Sequence, residues 1–168
     1  MASGDVELAL AQINFARTYT CRLLDCVPAE LWFRQPTEGV THVAWQVGHL
    51  AMAQYRLALE RTRGPRPGDA ELISDDFLAL FGRDSAPDPA AERYPTPAEL
   101  RAVFDRVHKE VMHELPELAE EGLDAPPVKP HSLCATKRAC LFWCAQHELV
   151  HAGQIGLLRR LFGQAPVW

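Results

Sequence analysis

The sequence has no run of about 18 apolar residues, the length that a membrane-spanning helix needs, so we expect no membrane partner. It also has no excess of basic charge: 17 Lys and Arg stand against 22 Asp and Glu, a formal net charge of −5, which argues against a nucleic-acid partner. The five cysteines are an odd number without the spacing of a disulfide framework. The residues from Met1 to Asp5 lack the basic and apolar regions of a signal peptide. These absences together predict a cytoplasmic protein with free thiols.

The composition is sufficient for one folded domain over residues 1–168, since 48% of the residues are hydrophobic. Apolar residues recur at helical spacing in four segments. The predicted helices are a first one that ends near Cys26, a second from Thr41 as N-cap to about Thr62, a third from Thr96 to Leu115, and a last one over Ala139–Gly163. The third has the strongest start signal, a capping box of Thr96 and Glu99 with proline between them.

The segment between the second and third helices is the least regular part of the sequence. Breaker residues fill Arg63–Gly68, a short helix is predicted within 70–81, and proline and alanine dominate Ser85–Pro95. The predicted fold is therefore all-α, a four-helix bundle with a long irregular crossover between helices two and three. The structure of residues 63–95 stays open at this point.

The last helix carries an unusual stripe of polar residues. At about 100° per residue, Cys140, Cys144, His147 and His151 lie on one face where core leucines would be expected. A buried polar group without a partner costs about 1–3 kcal/mol. A metal ion shared by the two histidines would satisfy both. Because free cysteine is also a common core residue, we expect Cys140 and Cys144 to pack in the core.

The segment His147–His151 also matches the zinc-protease pattern H-E-x-x-H. That reading needs a third ligand, and none of the residues after His151 is Asp, Glu, His or Cys. A zinc protease is therefore disfavoured. If the pair binds a metal, the third ligand comes from upstream.

The second helix offers that third ligand. His49 shares a face with Gln46 and Ala53, at positions i, i+3 and i+7, beside the buried edge of the helix. Three imidazoles on rigid helices leave one to three metal positions open, which favours catalysis over a closed structural site. Imidazole suits zinc, nickel, copper or iron.

Three further residues are candidates for supporting roles. Gln46 and Glu148 could accept hydrogen bonds from the outer ring nitrogens of the histidines. Arg159 lies about 80° around the helix from His151 and could bind an anionic group of a substrate. The alternative for Arg159 is a solvated arginine that counters the helix dipole.

Two segments carry a family resemblance: Val43–Ala51, which reads V-A-W-Q-V-G-H-L-A, and His147–Gly163, which contains H-x-x-x-H-A-G-Q. They resemble the DinB/YfiT-like family of metal-binding four-helix bundles. The resemblance implies a metal held by His49, His147 and His151, and Glu148 is not part of the family pattern. We expect one divalent transition metal ion, zinc or nickel. Residues 63–95 and 124–135 carry no segment that aligns with the family.

The resemblance also implies a function. The family includes transferases that use low-molecular-weight thiols on electrophilic substrates, and proteins described as metal-dependent hydrolases. We favour thiol transfer to a small-molecule substrate, because no dedicated general base is evident in the sequence. The alternative is a non-catalytic, stress-associated metal-binding module. A homodimer is expected in either case, because the family tends to dimerise and a partner subunit would bury the apolar end Ala165–Trp168.

Overall fold

The computed structural model describes residues 2–120 and 122–167, and within those ranges all regular structure is helical, which confirms the predicted all-α class. The α-helices are α1 (Ala2–Leu24), α2 (Val43–Gln54), α3 (Arg61–Arg63), α4 (Asp69–Leu72), α5 (Asp75–Leu80), α6 (Pro97–Glu114) and α7 (Lys137–Leu161). A π-helical segment, Tyr55–Glu60, joins α2 to α3 without a break. In the described ranges, every helix is too short or too polar to cross a bilayer.

Four long helical pieces form the bundle: α1, the continuous run from α2 to α3, α6 and α7. The main packing partners are α1 with α7 and α2 with α6. Leu100, Phe104, Val107 and Val111 repeat at helical spacing along α6 and are fully buried. The predicted capping box begins this helix, with Thr96 Oγ1 accepting from Glu99 N–H and the Glu99 carboxylate accepting from Thr96 N–H. The third predicted helix therefore begins where its sequence indicated.

The start of α2 differs from the prediction. His42 is the N-cap instead of Thr41, and its Nδ1 accepts a hydrogen bond from Trp45 N–H at 3.1 Å. The Thr41 hydroxyl oxygen accepts a hydrogen bond from Gln46 Nε2 at 3.0 Å, so it supports a side chain one turn into the helix. An imidazole nitrogen with a free lone pair can cap a helix as a hydroxyl does.

The crossover between the bundle halves is built from short elements. Gly64 leaves α3 with φ of 84°, a conformation that favours glycine. The predicted helix within 70–81 is two helices, α4 and α5, with Ser74 capping the second. Arg63 on α3 links the start of the crossover to α6, because its guanidinium forms ion pairs with Asp69 on α4 and Glu114 on α6. The crossover is irregular, as predicted, and it is held firmly to the bundle.

Phe81, at the end of α5, fills a hollow against Gly48 on α2. The Phe81 side chain is fully buried, and a Cβ placed on Gly48 would stand 2.5 Å from Phe81 Cδ1. Real carbon atoms do not approach so closely, so glycine is required at this contact. The contact places the crossover directly beside His49.

Replacing Gly48 by Ala should destabilise the protein by about 1–3 kcal/mol, because the added Cβ would force the fully buried Phe81 ring to shift. The control is Gly153→Ala, since Gly153 is exposed on α7 and a Cβ there meets nothing within 4 Å. That control should be neutral or stabilising by up to about 1 kcal/mol, because alanine favours helix. Urea unfolding of both variants checks the prediction, and equal midpoints for the two would contradict it.

Candidate metal centre

Three histidines from two helices meet in the interior of the bundle. His49 lies on α2, and His147 and His151 lie one turn apart on α7. The ring centroids are 5.3 Å apart for His49 and His147, 4.7 Å for His49 and His151, and 4.4 Å for His147 and His151. One ring nitrogen from each lies within 4.8 Å of the other two. We call these residues the histidine triad.

His49 is held from both sides. Its Nδ1 lies 2.9 Å from the backbone carbonyl oxygen of Phe81, which can only accept a hydrogen bond, so Nδ1 carries the proton. Its ring stacks on Trp45 at 4.6 Å with an angle of 14° between the planes. These contacts fix the orientation of the ring and leave Nε2 with a free lone pair.

His151 is oriented in the same way by a side chain. Its Nδ1 donates to Gln46 Oε1 at 2.5 Å, while Gln46 Nε2 donates to Gln154 Oε1 at 2.7 Å and to Thr41 Oγ1. The two donor bonds from the Gln46 amide nitrogen fix which end of the amide faces the histidine. His151 Nε2 therefore has a free lone pair as well, and it lies 3.2 Å from His147 Nε2.

Burial keeps the triad uncharged. Burial, with a smaller contribution from the neighbouring histidines, lowers the pKa of His147 to about 4 and that of His151 to about 3. Burial also lowers the pKa of His49. At neutral pH the three imidazoles are thus neutral, which is the protonation state that a metal ligand requires.

One side of the triad opens to a cleft of about 620 Å³, which we call the histidine cleft. His49 and His147 form part of its wall. The remaining wall is basic, apolar or neutral, with no Asp or Glu among the described residues that line it. It consists of Met52, Ala53, Arg56, Leu57, Arg61, Arg83, Pro130, His131, Ser132, Leu133 and Trp143.

The supporting roles predicted from the sequence have different outcomes. Gln46 does contact the triad through His151. Glu148 contacts no histidine of the triad: its carboxylate binds the Arg17 guanidinium, at 2.9 Å to Nε and 3.3 Å to Nη2. The reason is helical geometry, because a residue one position beyond His147 is turned by about 100° and faces α1.

Arg159 and the two cysteines also lie away from the triad. Arg159 is buried and lines a separate cavity with Tyr19 and Leu23, so it does not border the histidine cleft. Cys140 and Cys144 are buried, and desolvation raises the pKa of both thiols, that of Cys140 to about 12. Both are protonated core residues at neutral pH.

Sequence reasoning missed the basic residues of the histidine cleft. Arg56 had a detectable signal, because it lies seven residues after His49 and thus on the same helical face. Arg61 had none, since its direction depends on the π-helical segment. Arg83 and His131 come from loops whose course the sequence did not reveal.

Comparison with known proteins identifies one family. Residues 12–155 match the sequence model of the DinB superfamily. That span includes the whole histidine triad, Gln46 and the crossover. No curated protein and no solved structure matches the chain.

The structure predicts that Glu148 acts on stability. Glu148→Gln should lower the free energy of unfolding by about 3–5 kcal/mol, because it leaves a buried guanidinium without its counter-charge. The double variant Arg17→Met/Glu148→Met should recover much of that loss, since it buries no unpaired charge. Urea unfolding measures both. An unchanged midpoint for Glu148→Gln would contradict a stabilising role for the buried pair.

Proposed function

Because the chain belongs to the DinB superfamily, we propose that it is a single-domain metal-dependent enzyme in which His49, His147 and His151 bind one divalent ion. Zinc and nickel, two of the metals that imidazole ligands suit, are the ones we expect. The reaction proposed is transfer of a low-molecular-weight thiol to a small electrophilic substrate. The observation that carries the proposal is the convergence of three neutral imidazoles beside an open cleft.

The nitrogen geometry supports a shared ion. Two nitrogens each about 2.0–2.1 Å from one ion, at an angle of about 90–110°, lie roughly 2.9–3.4 Å apart. The distance between His147 Nε2 and His151 Nε2 is 3.2 Å. The outer nitrogens of His49 and His151 are each held by an oxygen acceptor, as is usual for metal ligands in proteins.

The histidine cleft supports catalysis over a closed structural site. His49 and His147 line a space that a small molecule can enter. A bound divalent ion lowers the pKa of a coordinated thiol or water and so supplies a nucleophile at neutral pH. A non-catalytic module has no need for such access, so the alternative drawn from the sequence receives no support from the cleft.

The lining of the cleft favours a thiol over water as nucleophile. Activation of water for hydrolysis commonly uses a carboxylate base, and no Asp or Glu lines the described part of the cleft. Glu148, the base that a zinc protease would use, is bound to Arg17. All five cysteines are free, in agreement with a reducing cytoplasm where low-molecular-weight thiols are abundant.

A homodimer remains part of the proposal. Val150, Leu157 and Leu161 form an exposed apolar line on α7, and Leu8 and Phe15 are exposed on the adjacent α1. The apolar end noted in the sequence finishes at Trp168, which lies outside the described residues. Sedimentation velocity at micromolar concentration tests this point, because only the 18.8 kDa species would be seen if the chain stays a monomer.

The metal ligands are tested by elemental analysis of purified protein. Wild type supplemented with zinc or nickel should hold about one ion per chain, and His49→Ala should lose most of it, because a site of three ligands becomes a site of two. The control is His113→Ala, since His113 is exposed on α6. Equal metal content in wild type and His49→Ala would reject His49 as a ligand, and metal-free wild type would reject the site.

Thiol transfer is tested with glutathione, cysteine and coenzyme A against chlorodinitrobenzene. The thiolate sulfur displaces chloride from the ring carbon, and the thiol proton passes to solvent. The rate with at least one thiol should depend on the metal, fall after chelation and return with zinc or nickel, and His147→Ala should lack it. Metal-dependent ester hydrolysis without any thiol effect would identify water as the nucleophile instead.

A further inference from the structure

The histidine cleft has a strongly basic rim. Arg56, Arg61 and Arg83 all border it, and none forms an ion pair with a carboxylate within the described ranges. The chain as a whole has more acidic than basic residues, so such a cluster is not a general property of its surface. Several other arginines do have carboxylate partners, namely Arg17, Arg63, Arg66, Arg93, Arg101 and Arg138.

Arg61 is the best placed of the three to bind a ligand. It is half-buried, its Nη1 donates only to the Arg56 carbonyl oxygen at 3.3 Å, and its buried Nε–H has no partner among the described residues. A guanidinium has five N–H donors in a fixed plane and matches a carboxylate or phosphate in two parallel hydrogen bonds. Arg61 therefore retains most of its donor capacity beside the cleft.

The π-helical segment Tyr55–Glu60 decides which residue faces the cleft. In an uninterrupted α-helix the face of His49 would continue through positions 53, 56 and 60, so Glu60 would point toward the triad. The π-helical segment has more residues per turn, so the residue that lies on the His49 face is 61 instead of 60. As a result Arg61 lines the cleft, and Glu60 instead binds Lys129. The backbone irregularity thus replaces an acid by a base next to the triad.

Apolar side chains accompany the arginines. Trp143 lies edge-on to His147, with ring centroids 5.9 Å apart, and Leu133 on the facing loop is exposed. Both line the same cleft. A ligand that fits this lining has an oxyanion for the arginines and an apolar body for Trp143 and Leu133.

We propose that Arg56, Arg61 and Arg83 bind the oxyanion of the substrate, so that the enzyme acts on small aromatic or aliphatic carboxylates or phosphates. This inference rests on the proposed function, since it places that substrate beside the metal ligands His49 and His147. The arginines also favour an anionic nucleophile in the same cleft. Arg159, the substrate residue expected from the sequence, has no part in this site.

The test is calorimetric titration of wild type with benzoate, phenyl phosphate and the neutral analogue benzamide. Both anions should bind, and benzamide should bind at least about tenfold more weakly, because loss of a charged hydrogen bond costs a factor of this size. Comparison of benzoate with phenyl phosphate shows which oxyanion is preferred. Equal binding of benzamide and both anions would overturn the inference.

Matched variants locate the binding. Arg61→Gln and Arg83→Gln should each weaken anion binding about tenfold or more. The control Arg22→Gln removes one exposed positive charge from α1 and should leave binding unchanged. Arg83 is exposed, so its variant should fold even if Arg61→Gln does not. Anion binding that neither variant weakens would overturn the inference.

Metal content is measured on the same samples, so that the two proposals fail separately. If wild type holds the ion and Arg83→Gln retains it while losing anion affinity, the inference is supported. If wild type holds no metal yet binds both anions through Arg61 and Arg83, the proposed function is rejected and anion binding by the arginines is retained. If the metal is present and the anions do not bind, only the proposed anion binding by the arginines is rejected.

Discussion

The buried guanidinium of Arg17 is the contact on which the rest of the structure depends. It lies on α1 and binds Glu148 on α7, Gln54 on α2 and the carbonyl oxygen of Phe104 on α6, so one side chain joins all four long helical pieces. Its carbon Cζ also lies 3.3 Å from the centroid of the Phe104 ring. A buried ion pair gains little net stability, because desolvation offsets most of its attraction. Its consequence is geometric. With Glu148 held against Arg17, the orientation of α7 about its own axis is fixed, and in that orientation His147 and His151 face α2.

Two of the three rings of the triad are oriented by hydrogen bonds within the protein. The crossover supplies the Phe81 carbonyl that orients His49, while α2 supplies Gln46 for His151. Phe81 can reach this position only because Gly48 has no side chain. The three imidazoles are kept neutral by burial, and the cleft beside them has arginines but no carboxylate in its described wall. The packing of Phe81 against Gly48 therefore also orients one of the histidines of the triad.

The sequence predicted the helices and the triad because both follow from local periodicity. His147 and His151 are one turn apart on a core stripe, and His49 shares a face with Gln46, so helix geometry alone brought them inward. The structure places Glu148 against Arg17 and Arg159 in a separate cavity, and the sequence did not reveal this, because a residue's neighbours on another helix do not appear in its own periodic pattern. The contact of Glu148 could be predicted only by knowing that Arg17, far away in the chain, packs beside it. The direction of Arg61 depends on the π-helical segment, which no pattern in the sequence indicated.

The central claim is that three histidine side chains hold one metal ion and leave a position open to the cleft. X-ray absorption at the metal edge of the zinc- or nickel-loaded protein tests it most directly. We expect three imidazole nitrogens at about 2.0–2.1 Å from the metal and at least one oxygen. In the zinc-loaded protein a sulfur neighbour near 2.3 Å should appear only after a thiol is added. A sulfur neighbour in the thiol-free protein would place Cys144 or another cysteine on the metal. Fewer than three imidazoles, or a fourth protein ligand in place of the oxygen, would contradict an open three-histidine site.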